Sequence, residues 1–384
     1  MLQLPPLSLY IHFPWCVAKC PYCDFNSHAL NGELPEDRYI DALLADLELE
    51  LPRVWGRPVH SIFLGGGTPS LFPAAAMDRL LSGVRARLTL APDAEITMEA
   101  NPGTIEHDRF EDYRSAGINR ISLGIQTFSD RHLKTLGRIH GGDEARRAIA
   151  AVRAAGFDNF NLDLMWALPD QSLDEAVNDV EQALAYAPAH LSHYHLTIEP
   201  NTVFAARPPT LPDEEAAWDM QEACGQRLAE AGFDQYEVSA WARPGAISRH
   251  NLNYWRFGDY LGIGAGAHGK ITLPAEDRIV RTRRKSHPRP YLKALEDASF
   301  MAEEKTLSAE DRIFEYFLNR LRLGEPFDVG EFSALTGIAA SQVTPRLDRA
   351  LALGLLERSG ERYSVSARGN RYLNDLQVLF LPEG

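Results

Sequence analysis

Three closely spaced cysteines are the residues whose types and spacing most clearly indicate chemistry. Cys16, Cys20 and Cys23 follow an apolar, β-branched segment in a C-x3-C-x2-C pattern. Cysteine thiolates are the usual ligands of iron–sulfur clusters, and ligation by four of them is the common case. With only three thiolates nearby, one iron of a four-iron cluster lacks a protein ligand and is open to a chelating cosubstrate. The spacing therefore predicts a [4Fe-4S] cluster with one open iron.

A structural zinc ion is the alternative occupant of this loop, with His12 or His28 as the fourth ligand. Structural zinc sites are closed and four-coordinate. The cysteine spacing differs from that of common zinc fingers, and a glycine-rich loop follows, so the cluster is favoured. The fourth cysteine of the chain, Cys224, lies alone in a helical segment. We expect it to be a small buried apolar residue.

The glycine-rich loop Gly65-Gly66-Gly67-Thr68-Pro69 ends the second predicted strand. Glycines remove side chains where the backbone must approach a ligand closely. The loop matches neither the dinucleotide fingerprint nor the lysine-bearing phosphate loop. Beside an open iron it suits the amino acid portion of S-adenosylmethionine, whereas a glycine run taken alone is equally compatible with a tight turn.

Polar residues also accompany the later strands. Glu99 ends the third predicted strand, Gln126 ends the fourth, and Asp163 lies in the fifth. Together, on the face that carries the cysteine loop, they predict a ring that binds ribose and amino acid groups. Arg138 follows the fourth strand and can pair with a ligand carboxylate through two hydrogen bonds. A surface salt bridge is the alternative for Arg138.

Strands and helices must alternate to position these residues. Apolar, β-branched segments recur at residues 8–13, 61–64, 95–100, 120–126, 160–166 and 190–198. Helical periodicity occupies residues 37–51, 74–88, 106–116, 143–155, 173–187 and 213–231. This alternation predicts crossover units and a parallel sheet. Six units are fewer than the eight of a closed barrel, so the expected fold is α/β, an open or partial (β/α)6 barrel with its active face at the carboxyl ends of the strands. A doubly wound flat sheet is the alternative.

The C-terminal region has a different pattern. Three helical segments, at residues 310–323, 329–335 and 341–353, precede an apparent hairpin of residues 355–358 and 362–365, which predicts a mainly helical, winged-helix-like domain. Residues 307–384 hold nine arginines and no lysine against eleven acidic residues, so a packing or protein-interaction role is favoured over DNA binding. The expected domains are residues 1–240, an extension at 241–300, and 301–384.

Composition restricts the class of protein further. The chain has 384 residues, 45% of them apolar and 24% charged, which is typical of a globular protein of two or three domains. A net charge of −14 argues against a general nucleic-acid binder. No apolar run approaches the roughly 20 residues of a membrane-spanning helix. The N-terminus does not read as a signal peptide, so we expect a cytoplasmic protein.

The motifs in combination resemble the oxygen-independent coproporphyrinogen III oxidase family of radical S-adenosylmethionine (SAM) proteins over essentially the whole chain. The cysteine triplet and the glycine loop are typical of the radical SAM superfamily. Four further motifs carry the narrower resemblance: Tyr10-Ile11-His12-Phe13-Pro14-Trp15-Cys16, Glu99-Ala100-Asn101-Pro102, Gly137-Arg138-Ile139-His140 and Asn161-Leu162-Asp163-Leu164-Met165. The resemblance implies the partial barrel of that superfamily.

The family has an oxidase branch, which decarboxylates a porphyrinogen, and a haem chaperone (HemW-like) branch, which binds haem and transfers it to client proteins. The oxidase motif has a further cysteine two residues past the third, where this chain has Phe25. The oxidases also carry an N-terminal arm, for which a first strand beginning at about Ser8 leaves no room. The chaperone branch carries a His-Asn-x-x-Tyr-Trp motif, which this chain has from His250 to Trp255. The chaperone branch is therefore favoured.

The resemblance implies a role for each matching residue. Cys16, Cys20 and Cys23 would hold the cluster, and His250 is the candidate haem ligand. The residues implied to surround SAM are Tyr10, Tyr22, Gly66, Gly67, Thr68, Glu99, Gln126, Arg138 and Asp163. The expected partners are haem, haem-accepting client proteins and an electron donor, with no nucleic acid; a homodimer and peripheral membrane contact stay open.

Two other segments are candidates for contact with the bound molecules. The glycine-rich stretch from Gly262 to Gly266 could lie close to the cofactor. Residues 278–293 hold seven Arg or Lys residues and no acid, which suits porphyrin propionates or a solvated interdomain segment. The alternatives to a haem chaperone are an active coproporphyrinogen III oxidase, a radical enzyme with another substrate, and a zinc-containing interaction protein.

Overall fold

The computed structural model describes residues 2–104 and 109–382. Its strands are β1 (Leu7–Phe13), β2 (Trp15–Cys16), β3 (His28–Ala29), β4 (Val59–Gly66), β5 (Leu90–Ala100), β6 (Arg120–Gln126), β7 (Phe160–Trp166), β8 (His190–His195), β9 (Asp234–Glu237), β10 (Ala240–Ala242), β11 (Asp259–Ile263), β12 (His268–Leu273), β13 (Arg278–Arg284), β14 (Met301–Thr306), β15 (Phe327–Asp328), β16 (Leu356–Ser359) and β17 (Arg362–Val365).

Helices follow most of the strands. They are α1 (Glu36–Val54), α2 (Ala74–Arg85), α3 (Arg109–Ser115), α4 (Asp130–Thr135), α5 (Gly142–Ala154), α6 (Leu173–Ala185), α7 (Val203–Ala206), α8 (Glu214–Glu230), α9 (Arg249–Trp255), α10 (Pro288–Lys293), α11 (Ala309–Arg320), α12 (Val329–Thr336), α13 (Thr344–Ala352), α14 (Ala367–Arg371) and α15 (Leu373–Val378). Short 3-10 turns lie at Pro69–Leu71, Pro102–Thr104, Pro274–Glu276, Ala294–Glu296 and Ala340–Gln342.

One twelve-stranded sheet organises the molecule. Its order is β14-β13-β12-β11-β1-β4-β5-β6-β7-β8-β10-β9. The strands from β11 through β1 and β4 to β8 are parallel, and antiparallel strands extend both edges. The order from β1 to β8 runs in one direction, as in a barrel, whereas a doubly wound sheet reverses at its switch point. The expected α/β fold, a partial (β/α)6 barrel with parallel strands and a C-terminal helical domain, is confirmed.

The two faces of the parallel strands differ in polarity because side chains alternate along a strand. In β6, Ile121, Leu123 and Ile125 are buried in the main hydrophobic core, which also includes α1, α2 and α6 residues. The alternate residues Arg120 and Ser122 line an internal cavity. The sheet therefore uses its apolar face to bind the helices and its polar face to form a site.

The first two predicted strands are longer by one or two residues at their ends, as β1 and β4, and two other strands differ more. The third predicted strand begins at Leu90 rather than at residue 95. The strand is longer because Leu90 pairs with Val59 of β4. The sixth predicted strand ends at His195 rather than at residue 198. Its parallel pairing with β7 stops there, because its partner Trp166 is the last residue of β7. The predicted helix at residues 106–116 begins outside the described residues, and α3 covers Arg109–Ser115.

The segment at residues 241–300 adds strands to the sheet. Its basic run forms β13 and α10, and four of its arginines pair with carboxylates, one of them Arg278 with Glu276. Arg281 lies 2.7 Å from Glu315, Arg283 lies 2.9 Å from Glu303, and Arg284 lies 2.7 Å from Asp46. The first part of the run is therefore a strand of the sheet, and its four arginines are paired within the fold.

The C-terminal region packs around its own hydrophobic cluster. Helices α11 to α13 and the three-stranded sheet β15-β17-β16 give the expected helical, winged-helix-like arrangement. Phe317 is central, stacked on Phe380 at 3.9 Å and on Phe332 at 5.5 Å between ring centroids. Strand β14 pairs with β13 and so joins the large sheet. The division at residues 240 and 300 remains a proposal. None of the helices in the described ranges has the length and apolar character needed to cross a membrane.

Candidate functional site

One cavity brings the predicted site residues together. It lies on the polar inner face of the sheet and has a volume of about 810 Å³. This is within the range of roughly 300–1,000 Å³ that is usual for small-molecule and cofactor sites. Every predicted site residue lines it: Tyr10, Cys16, Cys20, Tyr22, Cys23, Gly66, Gly67, Thr68, Glu99, Gln126, Arg138, Asp163 and His250.

The cysteine loop begins where β1 ends. Cys16, Cys20 and Cys23 are all free thiols and partly exposed. Burial raises the pKa of the Cys16 and Cys23 thiols, so their thiolate forms need a positive partner. Bound metal deprotonates a coordinating thiol outright. The donor set therefore fits an iron–sulfur cluster bound through three cysteines.

The described residues contain no group of three or more His, Cys, Asp or Glu side chains that could hold a single metal ion. A cluster differs from such an ion because each cysteine binds a different iron, so the sulfurs need not converge on one point. Arg138 completes the surroundings of the loop, with its Nη1 3.7 Å from the Sγ of Cys20.

The glycine loop packs directly on the start of the cysteine loop. The N–H of Gly67 donates to the carbonyl oxygen of Phe13 at 2.6 Å. A Cβ on Gly67 would lie 2.5 Å from the carbonyl oxygen of Trp15. Gly66 has a φ of +106°, and a Cβ there would lie 2.3 Å from the His12 ring. The glycines are therefore required by protein packing, which also places their backbone at the cavity wall.

Two partly buried carboxyl groups, those of Glu99 and Asp163, line the cavity, and Glu99 contacts this loop directly. Glu99 accepts a hydrogen bond from the N–H of Gly66 at 3.0 Å. Burial and the nearby Asp163 carboxylate raise the pKa of Glu99 to about 8. Burial also raises the pKa of Asp163. Glu99 is thus largely protonated at neutral pH, and its carboxyl group can donate a hydrogen bond as well as accept one.

Gln126 and Arg138 meet at the carboxyl end of β6. Gln126 has a φ of +68°, in the left-handed region that is rare for residues other than glycine. Nη2 of Arg138 donates to the carbonyl oxygen of Gly124 at 2.7 Å, and its Nε is buried without a partner in the described structure. Within the described ranges Arg138 forms no ion pair with a carboxylate, and its side chain lines the cavity.

The sequence analysis missed a polar network below Asp163. Nδ2 of Asn161 donates to Asp163 at 2.7 Å, and its Oδ1 lies 2.6 Å from Nδ1 of His190. Nε2 of His190 in turn lies 2.8 Å from the hydroxyl of Tyr236. Strand alternation places Asn161 and Asp163 on one face of β7, and that signal was available in the sequence. The contact between His190 and Tyr236 had no such signal, because these two residues are 46 positions apart in the chain.

His250 lies in the first turn of α9 and is fully buried. Its Nδ1 is 3.0 Å from the Oγ of Ser61, and its Nε2 is 2.8 Å from the hydroxyl of Tyr254. Burial lowers the pKa of His250 to about 3, which keeps the imidazole neutral. Neutral imidazole is the form that binds metals. Both nitrogens are hydrogen bonded, however, so iron ligation requires that one of these two contacts be exchanged.

Comparisons with known proteins agree with this geometry. The chain matches the family models for the radical SAM superfamily over residues 10–183 and for the HemN C-terminal domain over residues 307–372. A relative named "Heme chaperone HemW" in Escherichia coli strain K12 is 55% identical, with 100% of each chain covered. Relatives of the same name are 49% identical in Haemophilus influenzae, again over 100% of each chain, and 37% identical in Mycobacterium tuberculosis strain H37Rv, over 97% of this chain and 94% of the relative.

A solved structure shares the fold. Coproporphyrinogen III oxidase (HemN) from Escherichia coli matches with a TM-score of 0.83 at 23% identity, over 98% of this chain and 90% of that one. The radical SAM match also confirms the expectation of a [4Fe-4S] cluster and SAM as cofactors. The resemblance on which the sequence analysis relied is confirmed by the high identity over whole chains. The chain therefore belongs to the radical SAM superfamily and, within it, to the heme chaperone HemW family.

Proposed function

We propose that this protein is a haem chaperone, which binds haem and transfers it to client proteins while keeping a cluster and a SAM site. The observation that carries the proposal is the single cavity lined by the cysteine triplet at one part and by His250 and Tyr254 at another. Relatives of up to 55% identity bear the name of this function over their full length. The metal and organic groups would thus share one cavity.

The cluster and SAM would occupy the carboxyl-end part of the cavity. Cys16, Cys20 and Cys23 would bind iron, and a cluster bound there supplies an electron to the sulfonium of SAM. Arg138 lies beside the sulfur of Cys20 and stabilises its negative charge. The residues that would bind and orient SAM are Tyr10, Tyr22, Gly66, Gly67, Thr68, Glu99, Gln126, Arg138 and Asp163. Asn161 holds the Asp163 carboxylate in a fixed orientation.

Haem would enter the part of the cavity beside α9. His250 presents a neutral imidazole there, and release of the Tyr254 hydroxyl frees its Nε2. Phe63 and Tyr10 lie 5.1 and 6.4 Å from the His250 ring and supply aromatic surface. Of the two further histidines that line the cavity, His190 and His195, His195 is the one to compare, because its ring is stacked on Trp166 at 4.4 Å.

Haem titration followed by visible absorbance tests the ligand. We expect His250→Ala to lose the haem spectrum of the wild type and His195→Ala to retain it. Tyr254→Phe removes the hydrogen bond to Nε2 without adding bulk, so it should preserve or strengthen haem binding. If Tyr254→Phe weakens binding as much as His250→Ala does, or if His250→Ala binds normally, the assignment of His250 is wrong.

The alternative function is an oxygen-independent coproporphyrinogen III oxidase. It is favoured by the complete set of radical SAM residues in the cavity. An anaerobic assay with reconstituted cluster, SAM, a low-potential reductant and coproporphyrinogen III separates the two. Decarboxylated porphyrin above a Cys16→Ser control would establish the oxidase. A chaperone gives none, and passes bound haem to a haem-free acceptor protein.

The finer partners also belong to the proposal: an electron donor, a homodimer, peripheral membrane contact and a cytoplasmic location. The cysteine loop offers exposed apolar side chains to a partner, since Phe25 is 61% and Val17 is 48% exposed. Phe25→Ser should slow reduction of the cluster by a protein donor but not by dithionite. If the protein donor reduces Phe25→Ser as fast as it reduces the wild type, docking of the donor at this loop is contradicted. Sedimentation velocity with and without the cluster tests the dimer.

A further inference from the structure

Two arginines at the inner end of the cavity have donor nitrogens without partners. Arg120 begins β6 and is 2% exposed, and neither its Nε nor its Nη2 is hydrogen bonded in the described structure. Arg322 follows α11, and its buried Nε is also without a partner. Both side chains line the cavity. Buried polar groups are nearly always hydrogen bonded, so unmet guanidinium donors at a cavity wall indicate a ligand.

The neighbouring carboxylates do not satisfy these donors. Glu95 is 4.0 Å from Nε of Arg120, beyond hydrogen-bond distance. Its two oxygens instead accept the backbone N–H groups of Arg249 and His250, at 3.3 and 3.2 Å. Glu237 accepts a hydrogen bond from Nη2 of Arg322 at 3.0 Å and another from the N–H of Ser239 at 3.0 Å, and it leaves Nε of Arg322 without a partner among the described residues. The charges are thus partly balanced, while donors for a further anion remain.

Arg120 lies at the opposite end of β6 from Gln126, whereas Tyr10, another residue assigned to SAM, is in register with Arg120 through Phe63 and Thr97. Arg120 and Gln126 are the first and last residues of β6. At about 3.3 Å per residue, they lie roughly 20 Å apart along the strand. The cysteine and glycine loops follow the carboxyl ends of β1 and β4, at the Gln126 end of these parallel strands.

The same pair is close to α9. The guanidinium of Arg322 stacks over the ring of Trp255 at 4.4 Å. Trp255 ends α9, the helix that carries His250. Glu95, beside Arg120, accepts the backbone N–H of His250. The two arginines therefore flank the candidate haem ligand.

We propose that Arg120 and Arg322 form a carboxylate-binding pair that holds the propionate groups of haem. The inference rests on the proposed function, because it takes haem as the occupant of this part of the cavity. Guanidinium groups match carboxylates through two parallel hydrogen bonds. Arg322 lies within the segment that matches the HemN C-terminal domain. That domain thereby contributes a residue to the site, with the sheet supplying Arg120.

Binding of haem and of haem dimethyl ester tests the pair, because esterification removes both propionate charges. The wild type should bind haem about 10- to 100-fold more tightly than the ester, the range given by one or two charge-assisted hydrogen bonds. Arg322→Gln and Arg120→Gln should each lose much of this preference. Arg256→Gln is the matched control, since Arg256 caps α9, pairs with Glu325 and does not line the cavity. It should keep the preference.

Each other outcome decides against the pair. An unchanged preference in Arg322→Gln and Arg120→Gln, or an equal loss of haem and ester affinity, would overturn it. A selective loss of SAM affinity would assign the arginines to the SAM carboxylate instead. If Arg120→Gln does not fold, Arg120→Lys and Arg322→Gln give the answer. A wild type that binds neither haem nor ester would overturn the proposed function together with this inference, whereas the other results reject the pair alone.

Discussion

Replacement of Gly66 by alanine tests whether packing between the glycine and cysteine loops positions the site. Gly66 has a φ of +106°, and an added Cβ would lie 2.3, 2.5 and 2.8 Å from three atoms of the His12 ring. His12 is buried, and it bonds to the hydroxyl of Tyr10 at 2.9 Å and to the carbonyl oxygen of Asn26 at 2.8 Å. The substitution must therefore strain the backbone and also displace this ring.

The expected cost follows from two contributions. A left-handed conformation costs a residue other than glycine about 1–2 kcal/mol. Loss of the two hydrogen bonds of His12 adds about 0.5–1.5 kcal/mol each. The sum is about 2–5 kcal/mol for Gly66→Ala. The control is Gly232→Ala: Gly232 has a φ of +81° and nothing within 4 Å of an added Cβ, so it should cost only the backbone contribution.

Urea unfolding of the cluster-free chain measures the stability of both variants. Iron content after anaerobic reconstitution measures how much cluster each variant binds. We expect Gly66→Ala to be less stable than Gly232→Ala by about 1–3 kcal/mol, the share that comes from the hydrogen bonds of His12. It should also bind less iron, because His12 bonds to the carbonyl oxygen of Asn26 just beyond Cys23. Equal stability of the two variants, together with full iron content, would refute the packing argument.

Three further predictions concern other parts of the fold. Asn161→Leu removes the 2.7 Å partner of Asp163 and should weaken SAM binding roughly tenfold in calorimetric titration; unchanged affinity would contradict it. Arg284→Met removes the cation paired with the buried Asp46 carboxylate and should cost about 3–5 kcal/mol in urea unfolding, whereas a loss under about 1 kcal/mol would show that the pair is dispensable. The folded pKa of His250 is about 3, below its ordinary 6.5, so its stabilising effect is present above pH 6.5 and declines as pH falls toward 3. His250→Asn should reduce the pH dependence of unfolding between pH 4 and 6 by about 1.4 kcal/mol per pH unit, and an unchanged slope would refute this.

The barrel and much of the candidate site could be predicted because local pattern determines them. Strand β6 was predicted with the bounds that the structure has, since alternation of Ile121, Leu123 and Ile125 with polar residues marks a strand with one buried face. Parallel strands bring their carboxyl ends to one edge, so Glu99 and Gln126 had to lie near the cysteine loop. Only the order of strands and the cysteine spacing were needed for this part.

The rest of the fold and of the candidate site depends on contacts between segments that are distant in the sequence. The basic run from residue 278 gave no sign that Arg284 would be buried against Asp46, 238 residues earlier in the chain. The partners of His250 were equally hidden, because Ser61 belongs to a strand 189 residues away. A sequence shows that a histidine stands in a motif, but not that both of its nitrogens are occupied. Because both nitrogens are hydrogen bonded, haem binding at His250 would require the exchange of one of these contacts.

The two ends of the parallel strands therefore carry different tasks. Loops at the carboxyl ends hold the cysteines and the glycine backbone, where close packing leaves little freedom. At the opposite end, α9 closes the cavity with a histidine whose Nε2 is held by Tyr254, four residues along the same helix. Under the proposed function, haem ligation by His250 would exchange this contact for iron, at a helix that is separate from the cysteine and glycine loops.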